Sequence, residues 1–312
     1  MSGFDDVVLP TAAEEIWRYS RIADLDLRRY QPGRATTTVT GDTDGRVTEE
    51  PTATTVVDAP YPDVFAELNA DHAATVRISV PKGHTAAEPI VVTHAVDGAG
   101  TAVFPRLVID AADDSEVTVV ERFTSTPGAD VLVVPVLQVH AGPAARVRYL
   151  GVNELADTAW QIGHQQAIGD RDSSTTLATV ALGGHYARVR TEARLVGAGG
   201  STRQIALYFA GGEQMHDFRT IQDHDAPHTS SDLLFKGAVQ DESRSVYTGL
   251  IKVRKHARGT APLKSRSLVV CGASWSWIVR KSCICWPPAK YRATWRVLPP
   301  GPEMRASVRT RA

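Results

Sequence analysis

Residues 187–195 read Ala-Arg-Val-Arg-Thr-Glu-Ala-Arg-Leu, and their alternation decides the fold class. Val189, Thr191, Ala193 and Leu195 fall on one side, with Arg188, Arg190, Glu192 and Arg194 on the other. A backbone that repeats every two residues sends these sets to opposite faces, so the stretch predicts a half-buried strand. The same period runs through Val76-Arg-Ile-Ser-Val80 and the valine-rich residues 116–123. No helix-period segment of comparable quality interrupts the chain from about Ala74 onward. The middle of the protein is therefore mainly β.

Turn signals give the strands a rhythm. Clusters begin at Gly98, Asp113, Thr126, Ala141, Asp170, Gly197, Ala210 and Gln240, at intervals of 13–15 or 27–30 residues. A β-sandwich places its turns about every 8–12 residues. A wound β-solenoid, whose coils alternate strands with corners, fits one or two such intervals better. A parallel β-helix is expected over residues 51–262, with the sandwich as the structural alternative. Residues 1–50 read as a helical or irregular lead-in. There Thr11 can cap a helix, Glu14 and Glu15 suit its N-terminal dipole, and Ile16, Tyr19 and Ile22 recur at helical spacing.

Composition then divides the chain. Its 312 residues carry 34 Lys plus Arg against 35 Asp plus Glu. Up to Pro262 the net charge is −10, whereas residues 263–312 hold ten basic residues and only Glu303, a net of +9. That tail also contains all three cysteines (Cys271, Cys283, Cys285) and four of the six tryptophans, without strand or helix period. It reads as a separate, poorly ordered basic segment. The acidic body gives no reason to expect nucleic acid. No stretch approaches the roughly 18 apolar residues of a membrane span, and Asp5 and Asp6 sit where a signal peptide would be basic. A cytoplasmic protein is expected.

Three constellations could carry chemistry. His216, His224 and His228 are potential metal ligands, but Pro227 disfavours a helix through the last pair, and a strand would hold those two about 13 Å apart. Hydrogen-bonding turn residues are the simpler reading. Asp223, Asp225 and Asp232 could serve a polysaccharide-acting β-helix enzyme, which needs paired carboxylates; solvated turn acids are again simpler. Cys283-Ile-Cys285 with Cys271 lacks a fourth soft ligand nearby, and an extended Cys-x-Cys points its thiols apart. Phosphate-loop and nucleophile-elbow patterns are absent.

Residues 218–224 (Phe-Arg-Thr-Ile-Gln-Asp-His), 226–239 and above all Ser245-Val-Tyr-Thr-Gly-Leu-Ile-Lys-Val-Arg-Lys255 resemble the SufB/SufD family of iron–sulfur cluster assembly proteins, and its SufD-like members in particular. Residues 14–22 (Glu-Glu-Ile-Trp-Arg-Tyr-Ser-Arg-Ile) are similar to the family's N-terminal segment. The resemblance implies a right-handed β-helix with helical ends, pairing with a SufB-like paralogue through the β-helix and with a SufC-like ATPase through a C-terminal helical region. It implies a scaffold that is not an enzyme. It further implies that no cofactor is bound firmly by the chain and that a transient cluster could form at the subunit junction through the partner. After Thr260 the chain departs from the family, and the family's Cys-Ser-His segment occurs nowhere. No cluster ligand is carried over. The basic tail has the composition of a GC-rich gene read out of frame, so a frameshift near codon 260 is expected, the C-terminal helical region missing or replaced, and SufC-like binding weak or lost. The alternatives are the polysaccharide enzyme using acids near Asp223 and the histidine-based metal-binding module.

Overall fold

The computed structural model describes residues 4–44, 46–271 and 277–285, with side chains described as far as Ala261. Strands make up 52% of it and helix 6%, wound as a parallel β-solenoid of about six turns. Successive strands alternate between two sheets. Pro105–Ala111, Val136–Ala141, Trp160–Gly169, Tyr186–Leu195, Met215–His224, Arg244–Val253 and Trp277–Cys285 lie side by side in the first. Glu116–Thr124, Arg146–Glu154, Ser174–Ala181, Ser201–Ala210, Ser230–Val239 and Ala261–Cys271 do so in the second. Each coil thus gives one strand to each sheet, and the pairings along the coils are parallel, which excludes a sandwich of antiparallel hairpins. Register partners such as Leu137, Gln165, Thr191 and Thr220 are 26–29 residues apart, so the shorter turn interval is one strand with its corner and the longer one a full coil.

The alternation sets the core. In Tyr186–Leu195, Val189, Thr191, Ala193 and Leu195 are buried toward the lumen, as their period requires. Val76, Ile78, Leu107, Ile109, Val119 and Val139 from stacked coils close a continuous apolar column at the N-terminal end. Further along, aromatic side chains fill the lumen: Phe218, Phe235 and Tyr247 stack in sequence, 5.6 and 4.6 Å between centroids. Tyr208 lies flat over Gly237, where a Cβ would stand 2.1 Å from the ring. The N-terminal edges are turned by Thr36–Thr40 and Val47–Glu50, which pair antiparallel with Ile90–Ala95 and Ala74–Val80 and close edges that would otherwise invite association.

Two local expectations come out differently. Residues 11–20 form no α-helix; Glu14, Trp17 and Ser20 each donate to the carbonyl three residues back, and 3-10 turns follow at Ile22–Asp24 and Leu27–Arg29. The Ile16, Tyr19, Ile22 spacing is a period of three, which suits these tighter turns better than the α-helix. The α-helix is instead Val64–His72, capped by Asp63, whose carboxylate accepts from Phe65 and Ala66, both at 3.2 Å. Nine residues give too few turns for a period to show. In the basic stretch the backbone continues as strands Ala261–Cys271 and Trp277–Cys285. Pro262, which cannot donate to the ladder, stands at a register shift between Ser231 and Leu233. Residues 286–312 lie outside the described residues, as do the side chains of the three cysteines.

Candidate functional site

His216 and His224 both point into the lumen from Met215–His224, at its second and last positions, about 26 Å apart at strand rise. His216 is fully buried edge-on to Tyr208 and Phe218, and neither ring nitrogen has a partner at hydrogen-bond distance. Burial drives its pKa down to about 4, only weakly opposed by the Gly183 backbone. His224 uses both nitrogens, Nδ1 with Thr229 Oγ1 at 2.8 Å and Nε2 with Ser231 Oγ at 3.0 Å, and burial lowers its pKa too. His228 is a corner residue. Its φ of 58° is left-handed, and its N–H donates to Arg258 O at 2.9 Å on the next coil. Asp114, Ala144 and Asp172 occupy such corners with similar geometry, each bonding to the following coil. The three histidines are thus placed apart in role. Among the described residues no group of three His, Cys, Asp or Glu converges as a metal site would need.

The acids of the same stretch are held by cations. Asp223 takes two hydrogen bonds from Arg254, at 3.0 and 2.7 Å, with Lys252 3.8 Å away. Asp225 pairs with Arg194, with Arg254 at 3.3 Å and with His256 at 2.9 Å; burial pushes its pKa up, but the Arg194 bond and surrounding cations outweigh this and hold it low. Asp232 faces Arg203 at 3.1 Å. A glycosidase acid needs the opposite environment, one that keeps a proton on the carboxyl near neutral pH.

The densest buried polar group was not singled out from the sequence. Thr37 Oγ1 meets His94 Nδ1 at 2.9 Å, His94 Nε2 meets Glu121 Oε1 at 3.1 Å, and Tyr149 Oη donates to Glu121 Oε2 at 2.5 Å. Glu121 and His94 are each 2% exposed, and the His94 ring stacks on Phe123 at 5.4 Å. Burial, with the Glu121 charge behind it, raises the Tyr149 pKa well above its usual value. Beside them lies a cavity of about 20 Å³ lined by Tyr149, Asn153, Gln161, Gln165 and Thr179, with room for about one water. The signal was present: Glu121 occupies an inward position between Val119 and Phe123, where the alternation calls for an apolar residue.

Comparison with known proteins now bears on this lumen. The family described as SUF system FeS cluster assembly, SufBD core domain, matches residues 93–271. The chain belongs to the SufB/SufD family. Its role therefore lies in iron–sulfur cluster assembly. It is 26% identical over 287 residues to an iron-sulfur cluster assembly SufBD family protein of Mycobacterium tuberculosis, covering 85% of this chain and 70% of the relative. Similarity to SufD of Escherichia coli is 27% over 205 residues, 64% of this chain and 48% of the relative. SufD of Bacillus subtilis gives 27% over 213 residues, 65% and 48%. The SufBD core match begins within Ile90–Ala95 and ends with Ala261–Cys271, so most of the solenoid carries it.

The N-terminal segment lies outside that SufBD core and is fastened onto it. Trp17, fully buried, lies 4.0 Å under the Arg188 guanidinium. Arg188 donates to Ile16 O at 2.8 Å and pairs with Asp217, which also accepts from Tyr186 Oη at 2.9 Å. Arg219 reaches Glu15 O at 3.1 Å. Burial alone would lower the Arg188 pKa, but Asp217 outweighs it and raises it. Arg188, on the side of its strand expected to face solvent, is covered because residues 15–17 cross there. No helix among the described residues is long and apolar enough to cross a membrane.

Proposed function

We propose that this SufB/SufD-family chain is a non-catalytic, SufD-like scaffold subunit. It pairs through its β-helix with a SufB-like paralogue and acts with a SufC-like ATPase. The observation that carries this reading is the coincidence of the family match, residues 93–271, with a solenoid of stacked parallel strands. In that setting the chain binds no cofactor firmly, and a cluster forms transiently at the junction with the paralogue. The Arg254, Arg194 and Arg203 contacts to Asp223, Asp225 and Asp232 support the scaffold over a polysaccharide enzyme, because each of those carboxylates is already engaged by an arginine. The engaged ring nitrogens of His224 and the corner position of His228 favour structural roles over a metal-binding module. His216, His224 and His228 are therefore proposed as folding residues.

The altered end weakens the ATPase contact in this reading. The charge reversal after Pro262 supports a shifted reading frame, although the family match runs on to Cys271. Translating the other two frames beyond codon 260 tests it, and the idea fails if neither encodes a Cys-Ser-His segment and a helical end. Co-expression of the full chain with SufB-like and SufC-like proteins tests the scaffold. The SufB-like protein should co-elute, and the SufC-like protein should bind more weakly than low micromolar. Failure of the SufB-like protein to co-elute, or turnover of an acidic polysaccharide by the chain alone, refutes the scaffold.

A further inference from the structure

Arg106 projects from the outer side of Pro105–Ala111, opposite the lumen-facing Leu107 and Ile109, and is only 1% exposed. Its neighbours satisfy it in part. Nε donates to Asn69 Oδ1 at 3.0 Å, and Nη1 reaches Thr54 O at 3.3 Å. Nη2 is buried and has no partner. Among the described residues no carboxylate lies within ion-pair distance of it, whereas the buried Arg188 has Asp217 and the half-covered Arg190 has Glu192. Arg219, also poor in partners, stands near Asp217, whose Oδ1 is itself unpaired, so a small shift or one water can join the two. Arg106 has no such acid.

An unpaired buried charge is among the most costly arrangements a fold can hold, and it is tolerated when a counter-charge arrives. Guanidinium presents flat N–H edges that match carboxylate and phosphate oxygens. Residues 51–63, which include the Thr54 carbonyl on Arg106, form neither helix nor strand. Within them Asp58, Ala59, Pro60 and Tyr61 are exposed. Tyr61 is itself half-exposed. Residues 52–57 are tied to Thr75, Gln138 and Arg106, whereas residues 58–62 show no such bond, and that shorter stretch can part to admit a small ligand.

We propose that Arg106, with Nη2 free and Asn69 and Thr54 holding its other nitrogens, is the base of a site for one small oxyanion, a carboxylate or a phosphate. The site lies on the outer side of the first sheet, away from the polar lumen around Glu121, and does not depend on the scaffold reading.

The test is thermal unfolding of the full chain with sodium phosphate, acetate or chloride, each titrated at constant ionic strength set by a bulky sulfonate buffer. Phosphate or acetate should raise the midpoint in proportion to the logarithm of its concentration above the dissociation constant, by about 5 °C at a hundredfold excess. A response to acetate identifies a carboxylate ligand and a response to phosphate alone a phosphoryl group. Arg106→Met should abolish the response, whatever its own midpoint in sulfonate buffer. Should that variant not fold, equilibrium dialysis of wild type against labelled phosphate and labelled acetate must show one bound anion per chain. No shift with either oxyanion, an equal shift with chloride, or an equal shift in Arg106→Met overturns the proposal.

Discussion

Replacing Arg188 with methionine keeps an unbranched apolar stem and removes the charged head, leaving the Asp217 carboxylate, 1% exposed, hydrogen-bonded only to the Tyr186 hydroxyl, with Arg219 the remaining cation nearby. Breaking a buried pair from one side costs about 3–5 kcal/mol, because the surviving charge must be held without a counter-ion or be protonated. The stacking of Arg188 on Trp17 adds about 1 kcal/mol at this burial. Methionine packing against the indole offsets part of that, so Arg188→Met should lose about 4 kcal/mol in urea unfolding. The loss should be largest at the N-terminal segment, since the Arg188 bond to Ile16 O goes with it. Trypsin should then cut at Arg18 and Arg21 well before it cuts the solenoid. Adding Asp217→Asn removes the orphaned charge and should recover at least half of the loss. If Arg188→Met costs under about 1 kcal/mol, or the double variant is as unstable as the two single losses added, the buried pair is not what fastens the segment.

Gly237→Ala should destabilise by about 1–3 kcal/mol, read by urea midpoint, because its Cβ would enter the Tyr208 ring. His228→Gly should be neutral or stabilising by up to about 1 kcal/mol, since a left-handed corner at φ 58° suits glycine; a clear loss of stability would show that the imidazole itself matters. His216, lowered to about 4 from 6.5 by burial, contributes stability that is full above pH 6.5 and is lost as pH falls through 4. That gap corresponds to about 3 kcal/mol, and His216→Leu should flatten the fall of stability between pH 6.5 and 4. His140 runs the other way. Burial lowers its pKa, but hydrogen bonds to Asp110 and Asp170 outweigh this and raise it above 6.5. Its contribution is full below pH 6.5 and fades as pH rises through the folded value. At a third exposed it amounts to under about 1 kcal/mol, and His140→Gln should remove that fall between pH 6 and 8 at low salt.

The architecture was legible because strand alternation is set by backbone geometry alone and survives any amount of divergence in side-chain identity. Val189, Thr191, Ala193 and Leu195 face inward as read, and the spacing of turn clusters matched strands and coils. What alternation cannot report is the cover on the outer face. Arg188 has the sequence signature of a solvated residue, and only the distant segment carrying Trp17 makes it a buried one. Contacts between residues about 170 apart leave no trace in local period. The missed helix Val64–His72 has a similar cause: its strongest hold is Asn69, whose amide donates to Pro105 O and Val134 O, so tertiary contacts outweigh a weak local pattern.

The polar sites were legible in proportion to how far their bonding is local. His224, Thr229 and Ser231 bond within seven residues, with Thr229 in the connection and His224 and Ser231 on the strands either side of it. Thr37, His94, Glu121 and Tyr149 come from four different strands, joined only by the stacking of coils. Their one sequence mark is a polar residue at an inward position, as at His94, Glu121 and Gln165. In a solenoid such exceptions are informative, because each coil lays its inward residues directly over those of the coil before. A buried acid at one level must be answered within one coil or else remain uncompensated. Glu121 is answered by His94 from the preceding coil and Tyr149 from the following one, so the coil period of about 28 residues predicts where a partner must lie once the fold is known. Inward polar residues separated by about one coil, instead of clusters close in sequence, are therefore the pattern by which further lumen networks of this kind can be found.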